Sequence, residues 1–181
     1  DNSLEHAFEL YKKLPKVKAY EGLVEISEDK LNQFKTELTD YHLLDKKINE
    51  VSVSDIVTLI LAAAIKVSAS DIHIEAESKG SVIRLRIDGV LQEAAVITGD
   101  KWRRIATRLK ILAKVKINIT DKPQDGRFAI ALSDRKLDVR ASFLPTAYGE
   151  SVVLRLLDSS AASLEFESLG IRSEVLKALE K

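Results

Sequence analysis

The sequence has no cysteine and no methionine among its 181 residues, and only seven glycines, three prolines and one tryptophan. Without cysteine there is no disulfide, no thiolate zinc site and no thiol nucleophile. The absence also fits a reducing compartment. Without methionine, Asp1 is not a natural start, and the chain is expected to be an excised piece of a longer protein. The glycines are scattered: neither GxxxxGK[ST] nor GxGxxG occurs, so no glycine-rich loop is present to cradle a phosphate. The chain by itself is therefore expected not to hydrolyse ATP. The three histidines, His6, His42 and His73, lie far apart and outside any GxSxG context, which leaves a nucleophilic triad unsupported. The 28 basic and 28 acidic residues cancel, so global charge argues for neither nucleic acid nor a membrane surface. No apolar run reaches the roughly 18 residues of a membrane-spanning helix. The longest, IVTLILAAAI, reads as a buried helix, and no signal peptide is visible.

What is present is a chain that can build a core. Residues 3–14 place Leu4, Ala7, Phe8 and Tyr11 at helical spacing, closed by Pro15. KVKAYEGLVEI alternates as a short strand pair or extended arm, and Ser27 reads as the N-cap of a further helix. A boundary is expected near residue 50. Beyond it, Ser54 is expected to cap the helix DIVTLILAAAIKV, apolar on most of its surface. DIHIEA reads as a strand. VIRLRID sets Ile83, Leu85 and Ile87 on one face against Arg84, Arg86 and Asp88 on the other, and Asp88-Gly89 turns it into VLQEAAVI. Trp102, Ile105, Leu109 and Leu112 form the core stripe of a helix over roughly 100–114. Pro123 and Asp125-Gly126 mark a turn. FAIAL and KLDVRAS make a second hairpin through Ser133-Asp134, SVVLRLL follows a Pro145–Gly149 loop, and SEVLKALEK begins a last helix. The sum is an α+β fold, a mostly antiparallel sheet with helices on one side.

Three groups of residues carry possible chemistry. Asp71, His73 and Glu75 share one face of a strand, either as a metal-ligand comb or as the solvated face of a strand with Ile72 and Ile74 inside. The helix around Trp102 carries Lys101, Arg103, Arg104, Arg108 and Lys110, with Lys114 and Lys116 just beyond. Such a helix can grip phosphate backbones, or it is a solvated or partner-facing helix, since the charges spread all round it. Arg140 and Arg155 are the sharpest signal, each a single arginine in an apolar strand. A guanidinium there needs an anion with good geometry. That anion is either Asp138 or Glu150, in a structural ion pair, or a phosphate from outside the domain. Arg127, beside PQDGR, is a weaker case, with a turn-closing salt bridge as its ordinary role.

The ordered series ASDIHIE, RIDGVL, PQDGR, LDVRAS, PTAYGESVVLRLLD and SLG resembles the hexameric ATPases of type II secretion and type IV pilus assembly. The stretch from about Ser54 to Ile171 is similar to their second N-terminal domain, which precedes the ATPase domain. It departs from the family at Ala76, where a proline is usual, and in AKVKINITDK. The resemblance implies a PAS-like antiparallel sheet flanked by helices, preceded by a small helical or extended segment. It implies that 1–50 is the end of a preceding domain plus linker, 51–171 the PAS-like domain, and 172–181 the start of a linker to an ATPase domain. It implies a regulatory and assembly domain without catalytic apparatus, with ATP and Mg bound in the parent. Arg140 and Arg155 would contact the nucleotide phosphates, and Arg127 is the weaker candidate. The implied partners are the chain's own ATPase domain, neighbouring subunits of a hexamer and inner-membrane secretion or pilus platform proteins. No nucleic acid is implied. The implied location is cytoplasmic, peripheral at the inner membrane through those partners. Two rivals are a free-standing PAS-like sensor of small ligands, which needs a pocket inside the sheet or a bound ligand, and an RNA-binding module, which needs aromatics on an exposed sheet face.

Overall fold

The structure, a computed structural model, describes residues 22–27, 48 and 51–158. The helices expected over 3–14, after Ser27 and in SEVLKALEK lie outside them. Among the described residues the elements run β1 (Leu23–Glu25), α1 (Val53–Lys66), β2 (Asp71–Glu77), β3 (Gly80–Ile87), β4 (Val90–Ile97), α2 (Gly99–Ala113), β5 (Gln124–Ala131), β6 (Lys136–Thr146) and β7 (Gly149–Asp158). The strands form one sheet in the order β1-β5-β6-β7-β2-β3-β4. Two antiparallel meanders, β5-β6-β7 and β2-β3-β4, are joined by the β2–β7 pair, which is also antiparallel. Only β1 runs parallel to its neighbour, docking on the edge of β5. The fold is therefore α+β, as the alternating strands and the two helical stripes imply.

Several of the hairpins turn in two residues. Asp88 and Gly89 both have positive φ, 49° and 82°, the pair of left-handed conformations of a type I′ turn, whose twist matches that of the flanking strands. Ala147 and Tyr148 make a second two-residue turn, so β6 continues through Pro145 and Thr146 where a loop was expected. The two meanders bury one face. Ile72 and Ile74 of β2, Leu85 of β3, Ile130 of β5, Val139 and Phe143 of β6, and Val152 and Leu154 of β7 all point into the core. α1 and α2 cover that face. α1 is buried nearly all round, from Ile56 to Ala64, which explains why its sequence is apolar on almost every side. α2 buries the expected stripe, Trp102, Ile105, Leu109 and Leu112.

Two local expectations are corrected. The cap of α1 is Ser52, not Ser54: the helix begins at Val53, and the Ser52 hydroxyl accepts from the Asp55 amide. Ser52 is the residue with an extended backbone, ψ 156°, just before the first helical residue, which is the conformation that a capping serine needs. Asp125-Gly126 is not a turn either, because β5 already starts at Gln124. Gly126 is glycine for a different reason. A Cβ there would lie 2.3 Å from the Ala113 carbonyl oxygen and 2.7 Å from Val115 Cγ1. The missing side chain lets β5 press against the end of α2.

Candidate functional site

The face of the sheet opposite the helices is polar, and its pairing register organises the arginines. Arg127 on β5 lies directly opposite Arg140 on β6, and Arg140 lies opposite Arg155 on β7. Arg155 lies opposite Asp71 on β2, and Asp71 opposite Arg86 on β3. Residues directly opposite one another share a face, so five adjacent strands carry one row: Arg127, Arg140, Arg155, Asp71, Arg86. Like charges placed directly opposite destabilise a sheet. A row with three neighbouring arginines and one carboxylate is thus short of negative charge.

The carboxylate is Asp71, and it is only 5% exposed. Arg155 Nε donates to its Oδ1 at 2.8 Å. Arg86 Nε approaches Oδ2 at 3.3 Å, and the Ser70 hydroxyl donates to Oδ2 at 2.8 Å. Burial by itself would push the Asp71 carboxyl up. The hydrogen bonds from Arg155 and Ser70, with the charges of Arg155 and Arg86, outweigh burial and hold it below the usual carboxylate range. Asp71 in turn raises the Arg155 guanidinium, through that hydrogen bond and its charge. The Arg155 side chain stays 63% exposed. Its internal partner is therefore Asp71, not Asp138 or Glu150. The register decides this: Asp138 faces Leu157 on β7, and Glu150 is turned to the helix side. Arg127 and Arg140 are exposed and have no ion pair among the described residues. They flank a shallow depression of 510 Å³ with Asp125, Gly126, Ala141 and Ser142. The turn-closing salt bridge expected of Arg127 is not formed among them. Asp125 instead accepts from the Ser142 hydroxyl at 2.6 Å.

Glu150 is taken by a residue that sequence reasoning placed in water. Lys110, grouped above with the solvated charges of its helix, is 1% exposed. Its Nζ donates to Glu150 Oε2 at 2.8 Å and to the Ile119 carbonyl at 2.7 Å, and lies 5.9 Å from the centre of the Phe143 ring. The Trp102 indole donates to the Glu150 carbonyl. Gln124 closes the same corner, accepting from the Lys116 amide and donating to the Lys116 and Ile119 carbonyls. A useful signal was available. Lys110 follows Leu109 on the face of the Trp102–Leu109 stripe, where a long stem can lie buried. The other charges, Arg103, Arg104, Arg108, Lys114 and Lys116, are exposed.

The remaining candidates resolve as follows. Asp71, His73 and Glu75 do share the open face, but arginines hold the carboxylates. Glu75 pairs with Arg84, which also binds Glu77, and His73 Nδ1 sits 3.7 Å from Glu75. Among the described residues no cluster is arranged to hold a metal. The seam between helices and sheet, lined by Val57, Ile60, Leu61, Ile74, Ile105, Leu109 and Leu154, has no room for a water. Phe128 and Phe143 face inward, and the described strands put no aromatic on the open face beside the arginines. An open cleft of 820 Å³ lies at one rim, beside Trp102, Arg103, Lys79 and Tyr148.

Fold and register together define an α+β domain with an arginine row on its open face. The profile of the family described as type II/IV secretion system protein matches residues 46–181, and the chain belongs to that family. The type II secretion system protein E of Dickeya dadantii is 41% identical over 138 residues, covering 76% of this chain and 28% of that protein. The type II secretion system protein HxcR of Pseudomonas aeruginosa is 38% identical over 156 residues, covering 86% and 33%. The chain thus spans a third or less of the curated relatives it matches. A crystal structure of the pilus retraction motor PilT with bound ADP aligns with a TM-score of 0.45 at 22% identity, over 67% of this chain and 34% of that one. No described helix is long and apolar enough to cross a membrane.

Proposed function

We propose that this chain is a regulatory and assembly domain of a secretion or pilus motor ATPase, non-catalytic by itself, whose Arg140 and Arg155 reach the phosphates of ATP and Mg held on a following ATPase domain. Arg127 is the weaker third member. The observation that supports this best is the register: Arg127, Arg140 and Arg155 stand opposite one another on an exposed face, with a single carboxylate, Asp71, between Arg155 and Arg86. Phosphate suits such a row, because guanidinium offers a planar fork of donors and phosphate offers several acceptor oxygens. In this reading residues 51–171 are a PAS-like domain, 1–50 the end of a preceding domain with its linker, and 172–181 the start of the connection to the ATPase domain. The partners are that domain, neighbouring subunits of a hexamer and membrane-bound platform proteins, with the protein on the cytoplasmic side. A charge supplied from another domain couples domain position to hydrolysis. The free-standing sensor reading has less support, since the seam under the sheet is filled.

The test is turnover in the longer protein. An arginine supplied from outside the phosphate-binding domain can contribute factors of about 10³ or more. Arg140→Ala and Arg155→Ala should each lower ATP turnover strongly while this chain stays folded. Arg155→Lys should rescue poorly, because lysine keeps the charge and loses the fork. Substitutions that lower the melting temperature of this chain steeply, with turnover per folded molecule unchanged, would sink the reading.

A further inference from the structure

Asp71 engages both of its arginines through the same atom type. Arg155 and Arg86 each present Nε, on opposite sides of one carboxylate, at 2.8 Å and 3.3 Å. The terminal amino groups of both have no partner among the described residues, and the side chains stay 63% and 38% exposed. This is unlike Lys110, whose single charged nitrogen is wholly used inside the protein. It is also unlike Arg84, two residues earlier on β3, which spends its terminal nitrogens on Glu75 and Glu77. A guanidinium tied at Nε loses rotamer freedom and keeps its outer fork for another acceptor. The carboxylate that ties it is itself fixed: it is buried, Ser70 donates to it, and it sits on β2, an interior strand at the junction of the two meanders.

We infer that Asp71 is the positioning residue of the arginine row, and that Arg86, anchored on its far side, is a further phosphate-contacting member. This rests on the phosphate reading above. Asp71 does not touch the phosphate. It fixes where Arg155 and Arg86 present their terminal amines, so that less ordering entropy is lost when the anion arrives. The opposite role is also physically coherent. A carboxylate beside an anion site competes for the arginine and repels the ligand.

The sign of one substitution separates the two roles. Asp71→Asn removes a negative charge beside the site. If Asp71 merely competes, ATP turnover in the longer protein rises or the KM for ATP falls. If Asp71 positions, turnover falls despite the more favourable charge, by roughly 10–100-fold as for other residues that orient a binding group. Asp71→Asn should then add little to Arg155→Ala, and Arg86→Ala should lower turnover with a smaller effect than Arg155→Ala. In this 181-residue chain the Nε–H nuclear magnetic resonance signal of Arg155, which donates to Asp71, should be sharp and slow to exchange. It should be lost in Asp71→Asn while the amide spectrum of the core is kept, which separates positioning from unfolding. Turnover raised or unchanged by Asp71→Asn overturns the inference, as does an Arg155 Nε–H signal that ignores the substitution. If Arg155→Ala itself leaves turnover unchanged, the phosphate reading fails and the positioning role falls with it. If Arg155→Ala lowers turnover and Asp71→Asn does not, only the positioning role fails.

Discussion

Lys110 and Arg155 are both cations held by a carboxylate, and they lie on opposite faces of the same sheet. Lys110 is sealed: its side chain is 2% exposed and Glu150 12%, and its Nζ is shared between Glu150 and backbone carbonyls. Arg155 is open: Asp71 is buried, yet the arginine side chain is 63% exposed and only Nε is used. A pair that closes on itself serves the fold. A pair that leaves donors over can serve a ligand. The difference follows from the two faces. Two helices roof the Lys110 side, where an unpaired charge is intolerable, whereas the arginine side has no helix over it among the described residues.

The largest effect should come from opening the sealed pair. Lys110→Met strands Glu150 beside Trp102 and Phe143, and removing one partner of a buried pair costs about 3–5 kcal/mol. Lys110→Met combined with Glu150→Leu should recover much of that, because no charge is left to desolvate. Denaturant unfolding of this chain measures both. A single substitution costing under about 1 kcal/mol would mean that the pair behaves as a surface pair and that the contrast is false.

A smaller effect sets two neighbours in sequence against each other. Gly126 and Arg127 are adjacent on β5 and face opposite ways. Gly126→Ala drives a Cβ into the backbone at Ala113, which cannot swing aside as a side chain could. It should cost about 1–3 kcal/mol. Arg127→Ala, on the open face, should stay within about 0.5 kcal/mol. Equal costs would erase the distinction between the packed face and the open one.

Much of this was legible in the sequence, for identifiable reasons. Alternation in VIRLRID and the Asp88-Gly89 pair gave a hairpin, and the Trp102–Leu112 spacing gave the buried stripe of α2. These are local signals, with a period or a φ requirement behind them. The misses are long-range. Nothing near Arg155 in sequence indicates Asp71, because the two meet across the junction of the meanders, 84 residues apart. Lys110 was misplaced because a charged residue on a charge-rich helix reads as solvated, and only Glu150, 40 residues away, makes its burial tolerable. The arginine row falls between. Once the turn is two residues at 147–148, Arg140 must face Arg155. A looser loop from Pro145 to Gly149 left that register undetermined. Gly126 was read as a turn glycine because Asp-Gly usually turns, and its real constraint is a contact with the end of α2.

The smallest effect concerns pH and sharpens the open pair alone. The folded-state Asp71 carboxyl lies below its ordinary value, so Asp71 contributes stability that is present above the unfolded carboxylate range, about pH 4. That contribution is lost as pH falls through the lower folded value. Arg155 is raised further from an already high value and stays charged throughout. The window is therefore acidic, below about pH 4, with nothing expected from this pair near neutrality. The effect should be modest, because the guanidinium side of the pair is in water and salt screens it. Asp71→Asn should flatten the acid limb of the stability curve, measured by unfolding at closely spaced pH values. Raising salt should flatten it in the unaltered chain, and less completely, since the carboxylate is buried and keeps Ser70. An acid limb as steep in Asp71→Asn as in the unaltered chain would place the titrating carboxylate elsewhere. It would also mean that Asp71 and Arg155 are joined too weakly for the one to hold the other in place.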